Sequence, residues 1–244
     1  MNILITNDDG IEAPGIRRLA EAAKEFGNVV VVAPASQCSA ASHSITLRHS
    51  IEVHPHDFPV AGVKAYSCSG TPADCVRVGA LNVMPQKPDV VLSGINLGFN
   101  MASDIQYSAT AGAAFEAEFQ GILAIALSES FDAKHHEVTD HYLHRVLEKL
   151  LKEQYVPGQI LNVNFPGCPL SECKGILWDR HVSRLAYYED HYEVLQQFPD
   201  GGMELQVEGV HTPQIEEGTD YAAVMGGYVS VGKARNIGYA LSDR

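Results

Sequence analysis

The chain is poor in everything that would tie it to a membrane, an oxidising compartment or a nucleic acid. None of its apolar runs reaches the roughly 20 residues that a bilayer span needs. The opening segment, Met1-Asn2-Ile3-Leu4-Ile5-Thr6-Asn7-Asp8, is short and lacks the basic flank of a signal peptide. Cysteine is sparse and odd in number: Cys38, Cys68, Cys75, Cys168 and Cys173 contain no Cys-x-x-Cys pair. That argues for reduced thiols and against a disulfide framework or a thiolate zinc site. Cations are few. Against 30 Asp and Glu stand 17 Lys and Arg, and the net charge of -13 excludes an extended basic footprint for duplex DNA or RNA. A small anionic substrate stays open, because one bound metal reverses the local field. Internal repeats and low-complexity tracts are absent. A cytoplasmic protein is expected.

What is present is the material for a core. Apolar residues make up 45% of the 244, enough for one main α/β domain and too much for a disordered chain. Ile3-Leu4-Ile5-Thr6 reads as a buried strand that stops at the polar turn Asn7-Asp8-Asp9-Gly10. Residues 14–26 read as a helix: Pro14 suits a first turn, Ile16, Leu19, Ala20 and Ala23 recur at helical spacing, and Gly27-Asn28 ends it. Residues 29–33 form a second buried strand. This β-turn-α-β unit builds a parallel sheet with covered faces.

Further along, residues 46–53 and 63–67 read as more exposed strands. Thr71 is a candidate N-cap before Pro72, opening a helix with Val76, Val78 and Leu81 on its buried side. Residues 89–93 and 122–127 are core strands on either side of an alanine-rich helix over 108–121. An amphipathic helix over 140–152 puts Leu143, Val146, Leu147 and Leu150 on one face. Residues 161–165 close the sheet pattern. From about Gly167 helical periodicity fades and short strand-like runs follow. A core over about 1–166 and an extended, hairpin-rich portion over about 167–244 are expected, the latter packing on the core or on a second subunit.

In an open parallel α/β sheet, ligands bind at the carboxyl ends of the strands. Three predicted strands end in polar loops: Asn7-Asp8-Asp9-Gly10, Ser36-Gln37-Cys38-Ser39, and Ser93-Gly94-Ile95-Asn96 with Gly98 and Asn100 beyond. If these strands are neighbours, Asp8, Asp9, Ser39 and Asn96 converge. Their donors are all oxygens, which suits a hard cation such as Mg²⁺, Mn²⁺ or Ca²⁺. Adjacent residues of a strand point to opposite faces, so the chain must turn for both carboxylates to serve one ion, and Gly10 eases that turn. Taken alone, Asp8-Asp9-Gly10 also fits an ordinary capped turn. Gly94, Gly98 and Gly70 would let backbone amides approach an anion. Ser108 and Thr110 precede or open a helix, where N–H groups favour phosphate, although capping alone also explains them. His135, His136, His141 and His144 read as a solvated face. His43, close to Ser39, is a candidate acid.

These residues carry a resemblance. The chain resembles the SurE family, the stationary-phase survival protein E group of 5′/3′-nucleotidases, over about residues 1–231. The resemblance rests on Ile3 to Gly10 with Ala13-Pro14-Gly15, Val32-Ala33-Pro34, Ser39 with Ser44-Ile45-Thr46, and Gly70 to Val76. Its most distinctive piece is Ser93-Gly94-Ile95-Asn96-Leu97-Gly98-Phe99-Asn100. Tyr107-Ser108 with Thr110, Leu161 to Pro166 and Gly226 to Val231 complete it. The resemblance implies an α/β fold with a Rossmann-like, mostly parallel sheet, helices on both faces and an extended C-terminal portion. It implies one divalent cation per subunit, Mg²⁺ or Mn²⁺, held by Asp8, Asp9, Ser39 and Asn96. It implies hydrolysis of nucleoside 5′-monophosphates, with 3′-nucleotides and short polyphosphate as further substrates, and a homodimer or homotetramer.

Asp8 and Asp9 are then the expected catalytic carboxylates, and Asn100, Ser108 and Thr110 the expected phosphate contacts. Ala40, Ala109 and Gly232-Lys233-Ala234-Arg235 depart from the family pattern. Two rival readings remain at this point. A phospho-aspartyl phosphatase would begin Asp-x-Asp, where this chain has Asn7-Asp8-Asp9. A nucleotide-sensing module would bind without turnover.

Overall fold

The computed structural model describes residues 1–132 and 136–239. His135 falls outside the described residues. The apolar run at the start becomes β1 (Asn2–Thr6), with Ile3, Leu4 and Ile5 fully buried because strands pack on both of its edges and helices on both of its faces. Pro14 opens α1 (Pro14–Ala23), whose Ile16, Leu19, Ala20 and Ala23 are buried. β2 (Asn28–Pro34), β3 (Val53–His56) and β4 (Lys64–Cys68) follow. Next come α2 (Pro72–Val78), β5 (Val90–Leu97), α3 (Ala109–Phe119), β6 (Leu123–Glu129), α4 (Glu137–Leu150) and β7 (Gln159–Phe165). The C-terminal portion adds β8 (Ile176–His181), β9 (Tyr188–Gln197), β10 (Met203–His211), α5 (Asp220–Met225) and β11 (Val229–Arg235).

Nine of these strands make one sheet in the order β3-β4-β2-β1-β5-β6-β7-β11-β8. The run from β4 to β7 is parallel throughout. α1 and α4 cover one face through a core that includes Ile16, Leu19, Val146 and Leu147. α2 and α3 cover the other through Cys75, Val76, Ala113, Ala114 and Ala117. The chain builds outward from β1 to β2 and β4, then crosses back to β5 on the other side of β1. The order reverses there, so the crevice of this doubly wound sheet opens at the carboxyl ends of β1 and β5.

Three sequence expectations need correction. Residues 46–52 form no strand. Their backbone bonds side chains instead: Thr46 N–H donates to both oxygens of Asp74 at 3.1 and 3.0 Å, and Glu52 N–H to Ser69 Oγ at 2.9 Å. The same Asp74 completes a capping box with Thr71 at the start of α2. Leu81, expected on the buried side of that helix, is exposed. The helix widens into a π-type turn over Gly79–Val83 where Gly79 presses on Leu4, and the altered phase turns Leu81 outward. Finally, β7 does not close the sheet. β11 adds to it antiparallel and β8 follows, so Gly232 to Arg235 continue a strand.

Gly15, in the first turn of α1, lies so close to β5 that a Cβ there would sit 2.1 Å from the Ile95 carbonyl oxygen. Gly15→Ala must push the helix off the strand end that carries Asn96. A loss of about 1–3 kcal/mol in unfolding free energy is expected. Urea unfolding with no loss would contradict this close approach.

Candidate functional site

Loops after β1, β2 and β5 meet at the switch point because those strands are neighbours. The turn after β1 is held by Asn7 Nδ2, which donates to the Gly10 carbonyl at 2.8 Å, and Gly10 adopts φ +100°. Asp8 and Asp9 lie within that turn, close enough for the charge of Asp9 to act on Asp8. Cys38 N–H donates to the Asp8 carbonyl at 2.7 Å and draws in the loop after β2. Leu97 N–H donates to Asp9 Oδ2 at 3.1 Å and draws in the end of β5. Ala40, in the loop after β2, adopts the left-handed φ of +56°.

Each carboxylate has its own neutral donor. The Thr110 hydroxyl, from the first turn of α3, donates to Asp8 Oδ1 at 2.5 Å. Gln37 Nε2 reaches Asp9 Oδ1 at 3.4 Å and Ser39 Oγ at 2.9 Å. Asn96 Nδ2 donates to the Gly98 carbonyl at 2.7 Å, which leaves Asn96 Oδ1 as the available acceptor. Asp8 is buried, Asp9 and Asn96 are half-buried, and Ser39 is exposed. Burial pushes Asp8 up to about 6; the Thr110 hydrogen bond opposes this, and the charge of Asp9 adds to it. Burial also raises Asp9, against the Leu97 amide and Gln37, with the charge of Glu129 adding to the rise. Two shielded carboxylates that resist joint ionisation are what a cation relieves.

Among the described residues no group of three or more His, Cys, Asp and Glu side chains is arranged to hold a metal ion. A cation here would therefore rest on two carboxylates and neutral oxygens. That donor set fits Mg²⁺ or Mn²⁺, since Mg²⁺ commonly takes only one or two carboxylates and keeps several waters.

The expected phosphate contacts sit differently. Ser108 caps α3, its Oγ accepting from Ala111 N–H at 2.9 Å. Thr110 points its hydroxyl at Asp8. Asn100 is a buried strut: Nδ2 donates to Ser128 Oγ at 2.7 Å, N–H to Asn164 Oδ1 at 2.8 Å, and its carbonyl accepts from Asn162 and Asn164 at 2.8 and 3.0 Å. The amides expected to meet an anion are occupied, that of Gly98 by the Glu129 carbonyl and that of Gly70 by Cys68 Sγ. Gly94 instead allows β5 to approach β6, its Cβ position lying 2.2 Å from the Leu127 carbonyl oxygen.

His43 turns to Glu116, with Nε2 and Oε2 2.9 Å apart, and Arg77 donates to Glu116 Oε1 at 3.0 Å. His43 and Ser108 line a cavity of about 680 Å³ with Phe115, Phe119 and Arg184. Within α3, Phe115 and Phe119 share one stripe and Thr110, whose hydroxyl meets Asp8, lies away from it. The sequence reading missed Gln37, Asp220 and the two asparagines of β7. Asp220 clamps the loop after β5, accepting from Ala102 N–H at 3.1 Å and Ser183 N–H at 2.9 Å. Alternation in Leu161-Asn162-Val163-Asn164-Phe165 carried a signal, because it puts both amides on one face of a core strand.

A doubly wound α/β protein with a carboxylate pair at its switch point is the class this fold and site define. The family model for survival protein SurE matches residues 3–187. The chain belongs to the SurE family. It is 39% identical over 234 residues to the 5′-nucleotidase SurE of Clostridium botulinum (strain ATCC 19397 / Type A), covering 95% of this chain and 91% of that protein. The namesake of the Loch Maree / Type A3 strain is 40% identical over 235 residues, with the same coverage. The crystal structure of the SurE protein from Aquifex aeolicus matches with a TM-score of 0.81 and 35% identity, covering 100% of this chain and 98% of that one.

The Glu116 cluster yields a pH prediction. Burial alone would raise this carboxyl, but hydrogen bonds from His43 and Gln120 and the charge of Arg77 outweigh it and hold it below its ordinary value. Its stabilisation is therefore present above the unfolded glutamate value of about 4.3 and fades as pH falls through the lower folded value. The stability advantage of wild type over Glu116→Gln should shrink in urea unfolding as pH drops below about 4. An advantage that stays constant into that range would refute the assignment.

Proposed function

We propose that this chain is a divalent-metal-dependent phosphomonoesterase that hydrolyses nucleoside 5′-monophosphates to nucleoside and phosphate. 3′-Nucleotides and short polyphosphate are further substrates in this reading. The observation that carries it is the shielded Asp8–Asp9 pair at the switch point, with the first turn of α3 attached to it through Thr110. The 5′-nucleotidase name of the relatives supports turnover over a nucleotide-sensing module.

Asp8, Asp9, Ser39 and Asn96 would hold one cation per subunit, Mg²⁺ or Mn²⁺. When bound, it supplies Lewis-acid charge for a phosphate oxygen and makes water a better nucleophile. Asp8 and Asp9 are the catalytic carboxylates of this reading, ligands of the cation with one of them also accepting a proton from water. Thr110 fixes one oxygen of Asp8. Ser108 and Thr110 set the start of α3, where the first-turn amides that the Ser108 cap leaves over and the helix dipole favour a phosphate. Asn100 contributes by anchoring the loop that leads there.

Assembly as a homodimer or homotetramer belongs to the same proposal. Among the described residues the β9–β10 hairpin pairs only within itself, and Tyr192, Val194, Leu205 and Val207 share one exposed face of it. A lone two-stranded hairpin is marginal in water, so a second copy is the natural cover for that face. No helix among the described residues is long and apolar enough to cross a membrane. The five free thiols support a cytoplasmic setting.

Phosphate release from AMP should require Mn²⁺ or Mg²⁺ and stop on chelation. Asp9→Asn should lower it by at least about 10²-fold with an unchanged circular dichroism spectrum. A wild-type rate in Asp9→Asn would end the proposal. For assembly, Tyr192→Glu with Val207→Glu should reduce the mass seen by light scattering to that of one chain. An unchanged mass would remove the hairpin from the interface.

A further inference from the structure

Resting on the metal reading above, we propose that Gln37 is the positioning residue of the cation site, acting through Ser39 and Asp9. Ser39 is the weakest of the four proposed ligands. It sits on an exposed loop, and a serine hydroxyl rotates among three staggered positions. The contact that selects one of them comes from Gln37 Nε2, which donates to Ser39 Oγ at 2.9 Å. The second proton of that amide nitrogen faces Asp9 Oδ1 at 3.4 Å, a longer and weaker contact. One NH₂ group thus bridges a ligand of the β2 loop and a ligand of the β1 loop.

The orientation of the amide follows from chemistry. A carboxylate only accepts, so the nitrogen and not the oxygen of Gln37 must face Asp9. An amide nitrogen with two protons cannot itself bind a cation. It can occupy one lone pair on Ser39 Oγ and leave the other for the ion. The loop carrying Gln37 is in turn held by backbone. Cys38 N–H donates to the Asp8 carbonyl, and the loop passes over Gly10, whose Cβ position lies 3.7 Å from Gln37 N. Gln37 therefore starts from a fixed base, although its side chain is exposed. Groups that orient metal ligands in this way commonly contribute about 10- to 100-fold in metal affinity.

The test uses Gln37→Met, which keeps length and removes both donors, in the full chain. Mn²⁺ affinity is read by titration calorimetry and by the Mn²⁺-induced rise in melting temperature. Gln37→Met should weaken Mn²⁺ binding by about tenfold while the metal-free protein melts as wild type does. Placed in a Ser39→Ala background, the same substitution should add little, because its main route to the ion is gone. Affinity within about twofold of wild type would overturn the proposal, as would a full tenfold effect on top of Ser39→Ala. A raised KM for AMP with unchanged Mn²⁺ affinity would make Gln37 a substrate contact and also overturn it. Wild-type protein that binds no Mn²⁺ would refute the metal reading itself, a different result from a silent Gln37.

Discussion

The structure depends on holding two like charges side by side where water cannot easily screen them. Asp8 and Asp9 follow β1, a buried inner strand of the sheet, and burial opposes ionisation of both. Left alone, such a pair would neutralise or turn outward. Here each carboxylate is fixed by a donor from a different part of the chain: Thr110 from α3, the Leu97 amide from β5, and Gln37 from the loop after β2. None of these donors carries a full charge. The pair is oriented without being neutralised.

Precision at that pair is built from further away. The end of β5 carries Asn96, and the loop after it must reach the start of α3. Asn100 anchors it to β6 and β7 through Ser128, Asn162 and Asn164. Asp220 anchors its next residues from the C-terminal portion through Ala102. Asp220 is itself buried, and three backbone N–H donors, from Ala102, Ser183 and Tyr221, compensate part of the cost of burying it. The C-terminal portion thus supports the site as well as extending the sheet. The β9–β10 hairpin projects from the same region: Tyr188 N–H reaches Asp104, in the loop after β5.

Where local chemistry decides, the sequence could be read closely. The apolar run of β1, the proline that opens α1, the Thr71 cap and the buried face of α4 appear as expected. Failures fall where a distant group overrides a local pattern. Residues 46–52 alternate like a strand but bond the Asp74 and Ser69 side chains. Leu81 follows a helical spacing that the turn at Gly79 breaks. Asn100 looks like a phosphate donor within its loop, yet its partners lie 28 to 64 residues away. His43 lies near Ser39 in sequence, yet its partner is Glu116 on α3.

By itself the sequence determined the fold class and the order of the core elements, and it singled out four oxygen-bearing residues as a candidate cation site. Hydrophobic period, caps and turn residues act over a few positions, so one chain displays them. Only the tertiary structure decided which amide nitrogen orients Ser39, which hydroxyl steadies Asp8 and that β8 and β11 complete the sheet. The physical reason is that a hydrogen bond or a strand pairing joins groups by distance in space, and nothing in a linear pattern records which distant donor will arrive at a given acceptor.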